Sequence, residues 1–476
     1  MDAPPDYDRH RQMTAALVRG RAAVVGAALL CIVIAIGPSV SGAAPGPKPA
    51  AIKALKKKAV KKTRKAVHRE LPGVGIPELA SPNSPPTIKV TSCKQRKKHH
   101  RFAGFTCSWN AHGEAPGLVP FRCNGKAIFD AKRKKVKRID RCANRDEAQV
   151  PLLASPHELA FGYFETFDVF GDLFDELHNG GAVIARQDLD WPTLEPTPSP
   201  PASWNWSTYD ALYSQFLAAG IRPVWTLLPA PCWAAANRSC APGATNPISP
   251  AHISDYAAVA AQVAARYPAS AGIEVWLEPN SARFWGATPD PQTFSDLVGA
   301  TVSAVAATQT GVPVISGGLA PGAAASDKVE AGKFLAQALA RGGIKSAAAI
   351  GLDAVPDVPF KSGSDPTAGY LGRIRILIQT LETAEAAAGA SAPIGITELA
   401  FSTPGYSEAQ QAEALVSSYQ MLRRVAGIPF VIVSKLLDTG DGTKVQGFGV
   451  LHSNRSPKPA YCQLATARGV PKPPGC

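Results

Sequence analysis

From about Glu158 to the C-terminus, apolar strand-like segments alternate with helix-like ones eight times, and that alternation constrains the fold most. The strand candidates are Phe161–Glu165, Ala182–Leu189, Pro223–Leu228, Gly272–Leu277, Val312–Ser316, Ala349–Ala354, Pro393–Thr397 and Pro429–Lys435. Helical patterns fall between them, among them Ser207–Ala219, Ile253–Tyr267, Pro291–Thr308, Ala368–Ala388 and Glu408–Ala426. Parallel strands need long crossovers, usually helices, so the repeat predicts an α/β fold, a (β/α)8 TIM barrel whose site lies at the C-terminal strand ends. A doubly wound open sheet is the alternative. It loses support because no Gly-x-Gly-x-x-Gly follows the first strand and no Gly-x-x-x-x-Gly-Lys-Ser/Thr is present.

The front of the chain differs in kind. Arg9, Arg11, Arg19 and Arg21 precede an apolar run, Ala22 to Ile36, which ends in Pro38 and small residues through Ala44. The run is shorter than the ~20 residues a spanning helix needs, so residues 1–43 read as a signal peptide, with an uncleaved anchor as the alternative. The expected location is extracellular or attached to the cell envelope. Charge is concentrated next to this segment. The chain carries +13 overall, residues 48–147 carry +19 and residues 1–47 carry +1, so the remainder carries −7. Residues 44–86 read as a disordered linker, first Lys-rich, then rich in Pro and Ser. After export it would meet an anionic envelope polymer or a membrane surface, or act only as a solvated spacer. Nucleic acid is a poor partner because no base-stacking motif accompanies the lysines.

Residues 87–147 read as a small β-rich, disulfide-stapled module, and residues 148–476 as the barrel. Eight cysteines remain after Cys31 in the export segment. An even count in an exported chain favours disulfides over zinc, and no Cys-x-x-Cys pair is present. Cys93, Cys107, Cys123 and Cys142 leave three connectivities open, while proximity pairs Cys232 with Cys240 and Cys462 with Cys476. No metal or cofactor is expected, because there is no His-Glu-x-x-His cluster, and Gly-x-Ser-x-Gly is also absent.

Two glutamates end apolar runs: Glu278 in Ile-Glu-Val-Trp-Leu-Glu-Pro-Asn (273–280) and Glu398 in Pro-Ile-Gly-Ile-Thr-Glu-Leu-Ala-Phe-Ser (393–402). As the fourth and seventh strand ends they would face one cleft, and two facing carboxyls are what glycosidic bond cleavage needs. Arg186, a charge inside the second strand, needs a carboxylate partner, and Glu398 is the candidate. An apolar setting beside Trp276 would keep a proton on the other carboxyl. Trp233 and Trp285, in turn-rich stretches after the third and fourth strands, are candidate sugar platforms.

These segments resemble the glycoside hydrolase clan A barrels, closest to secreted actinobacterial-type members of families 5 and 39. The likeness runs through Arg-Gln-Asp-Leu-Asp-Trp-Pro-Thr-Leu-Glu-Pro (186–196), Trp-Asn-Trp-Ser-Thr-Tyr-Asp (204–210), Val-Trp-Leu-Glu-Pro-Asn (275–280), Ile-Thr-Glu-Leu-Ala-Phe-Ser-Thr (396–403) and Gly-Phe-Gly-Val-Leu-His-Ser-Asn-Arg-Ser-Pro-Lys-Pro-Ala-Tyr (447–461). It implies Glu278 as acid/base, Glu398 as nucleophile, and double displacement on a β-linked glycan. Arg186, Trp233, Trp276, Asn280, Trp285 and Asp357 are the expected substrate-binding residues of a monomeric enzyme that takes an oligo- or polysaccharide. Three positions depart from the pattern. Leu277 stands where the families have Asn, residues 352–360 lack the usual His and Tyr, and the eighth strand ends Ser-Lys-Leu-Leu-Asp (434–438) without a Trp. A catalytically weak or inactive carbohydrate-binding barrel is therefore the alternative.

Overall fold

The computed structural model describes residues 49–70, 87–98, 101–113, 121–139, 144–145, 152–153, 155–165, 173–198, 204–236, 246–321, 327–355, 369–403, 406–439 and 447–476. The expected export segment, Cys31, Cys142, Cys240 and Asp357 lie outside them. Among the described residues no helix is long and apolar enough to cross a membrane. The chain divides into a small front unit and a large unit that holds the barrel.

The front unit corrects one expectation. The lysine-rich segment read as a disordered linker is a helix, Pro49–Glu70. Its apolar residues are few but correctly spaced. Ile52, Leu55, Ala59, Thr63 and Ala66 recur every three or four positions, and of these Ala59, Thr63 and Ala66 are buried. Such spacing puts them on one face, and tertiary packing of that face supplies stability the charged sequence lacks by itself. Ala59 packs in a cluster with Cys93, Phe105, Cys107 and Phe129, with Leu55 and Val136 at its edge. The strands are β1 (Thr87–Lys98), β2 (Arg101–Gly113), β3 (Phe121–Asp130), β4 (Lys135–Ile139) and the two-residue β5 (Asn144–Arg145), in the order β1-β2-β3-β4 with β5 on β3. Cys93–Cys107 staples β1 to β2, one of the three connectivities left open by the sequence.

The barrel strands are β6 (Ala160–Glu165), β7 (Ile184–Asp190), β8 (Arg222–Leu228), β9 (Gly272–Val275), β10 (Val314–Ser316), β11 (Ile350–Ala354), β12 (Ile394–Leu399) and β13 (Phe430–Ser434). They form one eight-stranded sheet, β10-β9-β8-β7-β6-β13-β12-β11. Parallel bridges Ile315–Ala349 and Leu319–Leu352 bring the two edges together and close the barrel. Each strand falls within two residues of its predicted bounds, because buried apolar runs flanked by Gly, Pro and polar turns are strong signals. Phe164, Ile184, Val224, Ile315, Ala349, Phe430 and Ile432 fill the lower interior. Gly395 leaves room for the Phe430 ring, whose nearest carbon would lie 2.2 Å from an added Cβ. Above this apolar plug the inward positions turn polar. Cys462–Cys476 ties the final helix, Pro459–Arg468, to the C-terminus as expected, and Cys232 is also disulfide-bonded.

Charge at the buried face of the lysine helix will unfold the front unit. Ala59→Glu is expected to cost about 3 kcal/mol, the scale of burying an uncompensated polar group, whereas Lys57→Glu on the exposed face will cost little. Urea unfolding followed by circular dichroism and by proteolysis within residues 49–70 measures both.

Candidate active site

The site is built around Arg186. Its side chain has no exposure, and it projects from β7 into the barrel above the apolar plug. An unpaired guanidinium there would be prohibitively costly, so neighbouring strands supply acceptors at the same height. Glu274 on β9 is the closest. Arg186 Nε donates to Glu274 Oε2 at 2.5 Å and to Thr226 Oγ1 at 3.0 Å, and Thr226 donates to the same carboxylate oxygen at 2.7 Å. The other Glu274 oxygen accepts the Gly318 backbone N–H at 3.0 Å. Arg186 Nη1 lies 3.6 Å from Glu398 Oε1, and the guanidinium covers one face of Phe164. The expectation of an Arg186–Glu398 pair is thus met only at ion-pair distance, and the direct partner is Glu274. The reason is register. Thr226 and Glu274 are aligned partners on adjacent strands, one and two strands beyond Arg186, while Glu398 reaches in from the opposite wall. Burial alone would lower the Arg186 pKa, but Glu274, Asp353, Glu398 and Asp188 together raise it, and the guanidinium stays charged.

Glu398 owes its position to an irregularity. Side chains alternate along a strand, so Thr397 and Glu398 should face opposite ways. The β12–β13 register shifts between Ile396 and Leu399, and the β11–β12 register shifts at Leu352/Asp353. A shift of this kind re-aims side chains and is common beside active sites. Both residues therefore reach the interior. Thr397 Oγ1 donates to Asp353 Oδ1 at 2.8 Å, and Ser434 Oγ donates to Glu398 Oε1 at 2.9 Å.

Glu278 is set by a different device. Strand β9 ends at Val275, three residues before it. Trp276 and Glu278 both have positive φ, 71° and 39°, which non-glycine residues adopt only when surroundings enforce it. This turn sends Trp276 and Leu277 into the core and leaves Glu278 half-buried at the mouth. A carboxyl oxygen from each of Glu278, Asp353 and Glu398 lies within 4.8 Å of the others. Lys328 Nζ stands 3.8 Å from Glu278 Oε2.

Several expected substrate contacts are placed elsewhere. Trp276 is fully buried, with its indole N–H donated to the Phe284 carbonyl, and Trp285 packs against Trp276 and Phe294. Neither presents a face to a sugar, because both belong to the layer between strands and helices. Trp276 therefore does not provide the expected apolar setting for Glu278, whose carboxyl instead has Lys328, Asp353 and Glu398 around it. Asn280 is buried and holds the chain after β10, donating to the carbonyls of Ala320 and Val329 and accepting from Ala320 N–H. Trp233 is half-buried against Trp191 and His252, so its remaining surface is the one expected platform left open. Residues missed in the sequence are Glu274, Asp353, Asp188, Lys328 and Lys435. Lys435, nearly buried, lies 3.8 Å from Glu165 at the end of β6. A charge in an apolar strand was the available signal for Glu274 and Asp353, as it was for Arg186.

Glu278, Asp353 and Glu398 are the described residues whose donors could hold a metal ion. The buried Arg186 already places a positive charge beside Glu398, so the cluster has its counter-cation built in. A 440 Å³ depression at the opposite end of the barrel, lined by Val302, Val305, Gln309, Val312 and Pro313 among others, offers no carboxylate.

No protein-family model matches the sequence, and no curated protein does. Solved structures do share its fold. A family 39 glycoside hydrolase from the gut symbiont Bacteroides cellulosilyticus WH2 aligns with 82% of this chain and 78% of its own at 17% identity and a TM-score of 0.51. A monomeric β-xylosidase from Caulobacter crescentus CB15 aligns with 68% of this chain and 69% of its own at 17% identity and a TM-score of 0.50. The barrel therefore shares its fold with these two enzymes.

Asp188 gives a stability test with a definite sign. Its Oδ1 is enclosed without a hydrogen-bond partner among the described residues, and burial pushes its carboxyl up to about 6 against the pull of Arg186. The folded chain then holds a proton that the unfolded chain releases near pH 4, so ionising Asp188 costs stability. The penalty is absent below about pH 4 and complete above about pH 6. Asp188→Asn is expected to stabilise the protein by up to about 3 kcal/mol at pH 7 and by nothing at pH 3.5, read from denaturant unfolding at both values.

Proposed function

We propose that the chain is an exported β-glycosidase that cleaves its substrate with retention, Glu398 acting as nucleophile and Glu278 as acid/base. The carrying observation is the separation of their carboxyl oxygens, within 4.8 Å across one cleft at the C-terminal mouth. Retaining pairs stand roughly 5–5.5 Å apart, whereas inverting pairs need roughly 6.5–9.5 Å to admit a water. Glu398 attacks the anomeric carbon while Glu278 protonates the departing glycosidic oxygen. The carbon–oxygen bond to the leaving group breaks as the glycosyl ester forms. Glu278, now ionised beside Lys328, takes a proton from water, and that water displaces Glu398. Arg186 balances the charge of Glu398 before attack and after release. Leu277 lies in the core, so a hydrogen bond to the sugar 2-hydroxyl falls to another donor. The β-xylosidase neighbour makes β-xylosides the first substrates to try.

The front unit suits a different partner. Lys53, Lys56, Lys57, Lys61, Lys62 and Lys65 are exposed along the helix, with Lys94, Lys97, Lys135 and Lys137 on the strands. Their density, and the export segment before them, support attachment to an anionic envelope polymer. Retention of the full chain on a phosphate-rich polymer is expected to fall steeply between low and high salt, and Lys57→Glu/Lys61→Glu/Lys65→Glu will weaken it without touching catalysis. Salt-insensitive retention removes this partner.

For the active site, Glu398→Gln is expected to lower kcat/KM by at least about 10³-fold on every substrate. Glu278→Gln will cost far less on aryl β-glycosides with good leaving groups, which need no protonation, than on natural glycans. Rates on aryl β-xylosides, aryl β-glucosides and polysaccharides check both. Glycan binding by the parent without turnover would instead identify a binding barrel.

A further inference from the structure

The third carboxyl in the cleft has no role in the double displacement, and its surroundings give it one. Asp353, the penultimate residue of β11, has no exposure and brings a carboxyl oxygen within 4.8 Å of one from each glutamate. Thr397 occupies Oδ1, and Oδ2 is enclosed without a hydrogen-bond partner among the described residues. Space on the β10 side is closed too. A Cβ at Gly318 would lie 2.1 Å from Asp353 Oδ1 and 2.4 Å from Thr397 Oγ1, so only glycine fits there.

The charged groups facing Asp353 are Glu398 from β12, Arg186 from β7, Glu274 from β9 and Glu278 from the turn after β9. Arg186 is the one cation among them, and Glu274 already engages it directly. Ionised Glu398 takes the remaining share of that charge at 3.6 Å. A further carboxylate in the same enclosure would stand unbalanced, and a buried carboxyl in that position keeps its proton.

We infer that Asp353 is a positioning residue that stays protonated in the working enzyme and turns its Oδ2–H toward the Glu398 carboxylate. The proton is held throughout the cycle and never transferred. In the free enzyme it lets an ionised nucleophile sit beside a protonated acid without a third negative charge. After attack, the same O–H faces the carbonyl oxygen of the glycosyl ester. It supplies on β11 a hydrogen-bond donor that the His- and Tyr-free segment 352–360 otherwise lacks. Burial, then the charge of Glu398, hold this carboxyl well above the usual carboxylate range, with Arg186 opposing.

The inference rests on the reading of Glu278 and Glu398 as the reacting pair, and the test separates the two. The full chain carrying carbon-13 at aspartate side-chain carboxyls is followed by NMR from pH 5 to pH 8, beside Asp353→Asn and Thr397→Val. One aspartate signal is expected to keep a protonated-carboxyl shift at pH 7 and to vanish in Asp353→Asn. Thr397→Val will move the same signal, which assigns it should Asp353→Asn fail to fold. In kinetics, Asp353→Asn, which keeps a donor, is expected to retain kcat/KM within about tenfold with both limbs of the pH profile in place. Asp353→Ala, without a donor, will lose about 10²–10³-fold, the usual effect of deleting one such donor. An Asp353 signal at the carboxylate position at pH 6 overturns the inference, whether or not the enzyme turns over. So does a pH profile for Asp353→Asn with both limbs shifted acidward by a unit or more, since that reports removal of a charge. Absence of turnover in the parent with a protonated Asp353 would count against the proposed catalysis alone.

Discussion

The charge balance of the inner cleft follows from one buried guanidinium. Arg186 sits at the level where the barrel interior changes from Phe164, Ile184 and Val224 to polar side chains. A charge there must be balanced by groups brought from separate strands. Glu274, held by Thr226 and Gly318, supplies the permanent partner. Because Glu274 is fully engaged, Glu398 meets Arg186 at longer range, and a charged carboxyl that is balanced without being fully bound can still attack. Replacing Arg186 would leave Glu274 and Glu398 buried and unbalanced, so its removal costs fold and chemistry together.

The second constraint is geometric. A regular barrel strand offers the interior every other residue, which cannot place Thr397 and Glu398 in one cleft or bring Glu278 to it from beyond the end of β9. The register shifts of β11 and β12 solve the first problem and the positive-φ turn at Trp276 and Glu278 solves the second. These departures from regular strand geometry bring Glu278, Asp353 and Glu398 to one cleft.

The sequence made the barrel legible because its strands are buried apolar runs and its helices amphipathic, signals that depend on local pattern alone. Glu278, Glu398 and Arg186 were legible for the same reason, as charges at the ends of or within apolar runs. What stayed hidden depends on register. Glu274 was in view beside Glu278, but only the alignment of β7, β8 and β9 shows that it takes Arg186. Asp353 stayed hidden because inward and outward positions on β11 depend on a register shift no pattern announces. Trp285 reads as a sugar platform since an aromatic after a strand end can face the cleft or the helical layer, and it faces the layer together with Trp276. Mean charge conceals the lysine helix. Ile52, Leu55 and Ala59 are few, yet their spacing lets them share one face.

The proposed double displacement rests on Glu278 and Glu398 each bringing a carboxyl oxygen within 4.8 Å of the other. The stereochemistry of the first product tests it most directly. Proton NMR of an aryl β-glycoside during the first minutes of hydrolysis, before mutarotation, is expected to show the β-anomer of the released sugar. The α-anomer appearing first would require a water between the two carboxyls and would contradict the account.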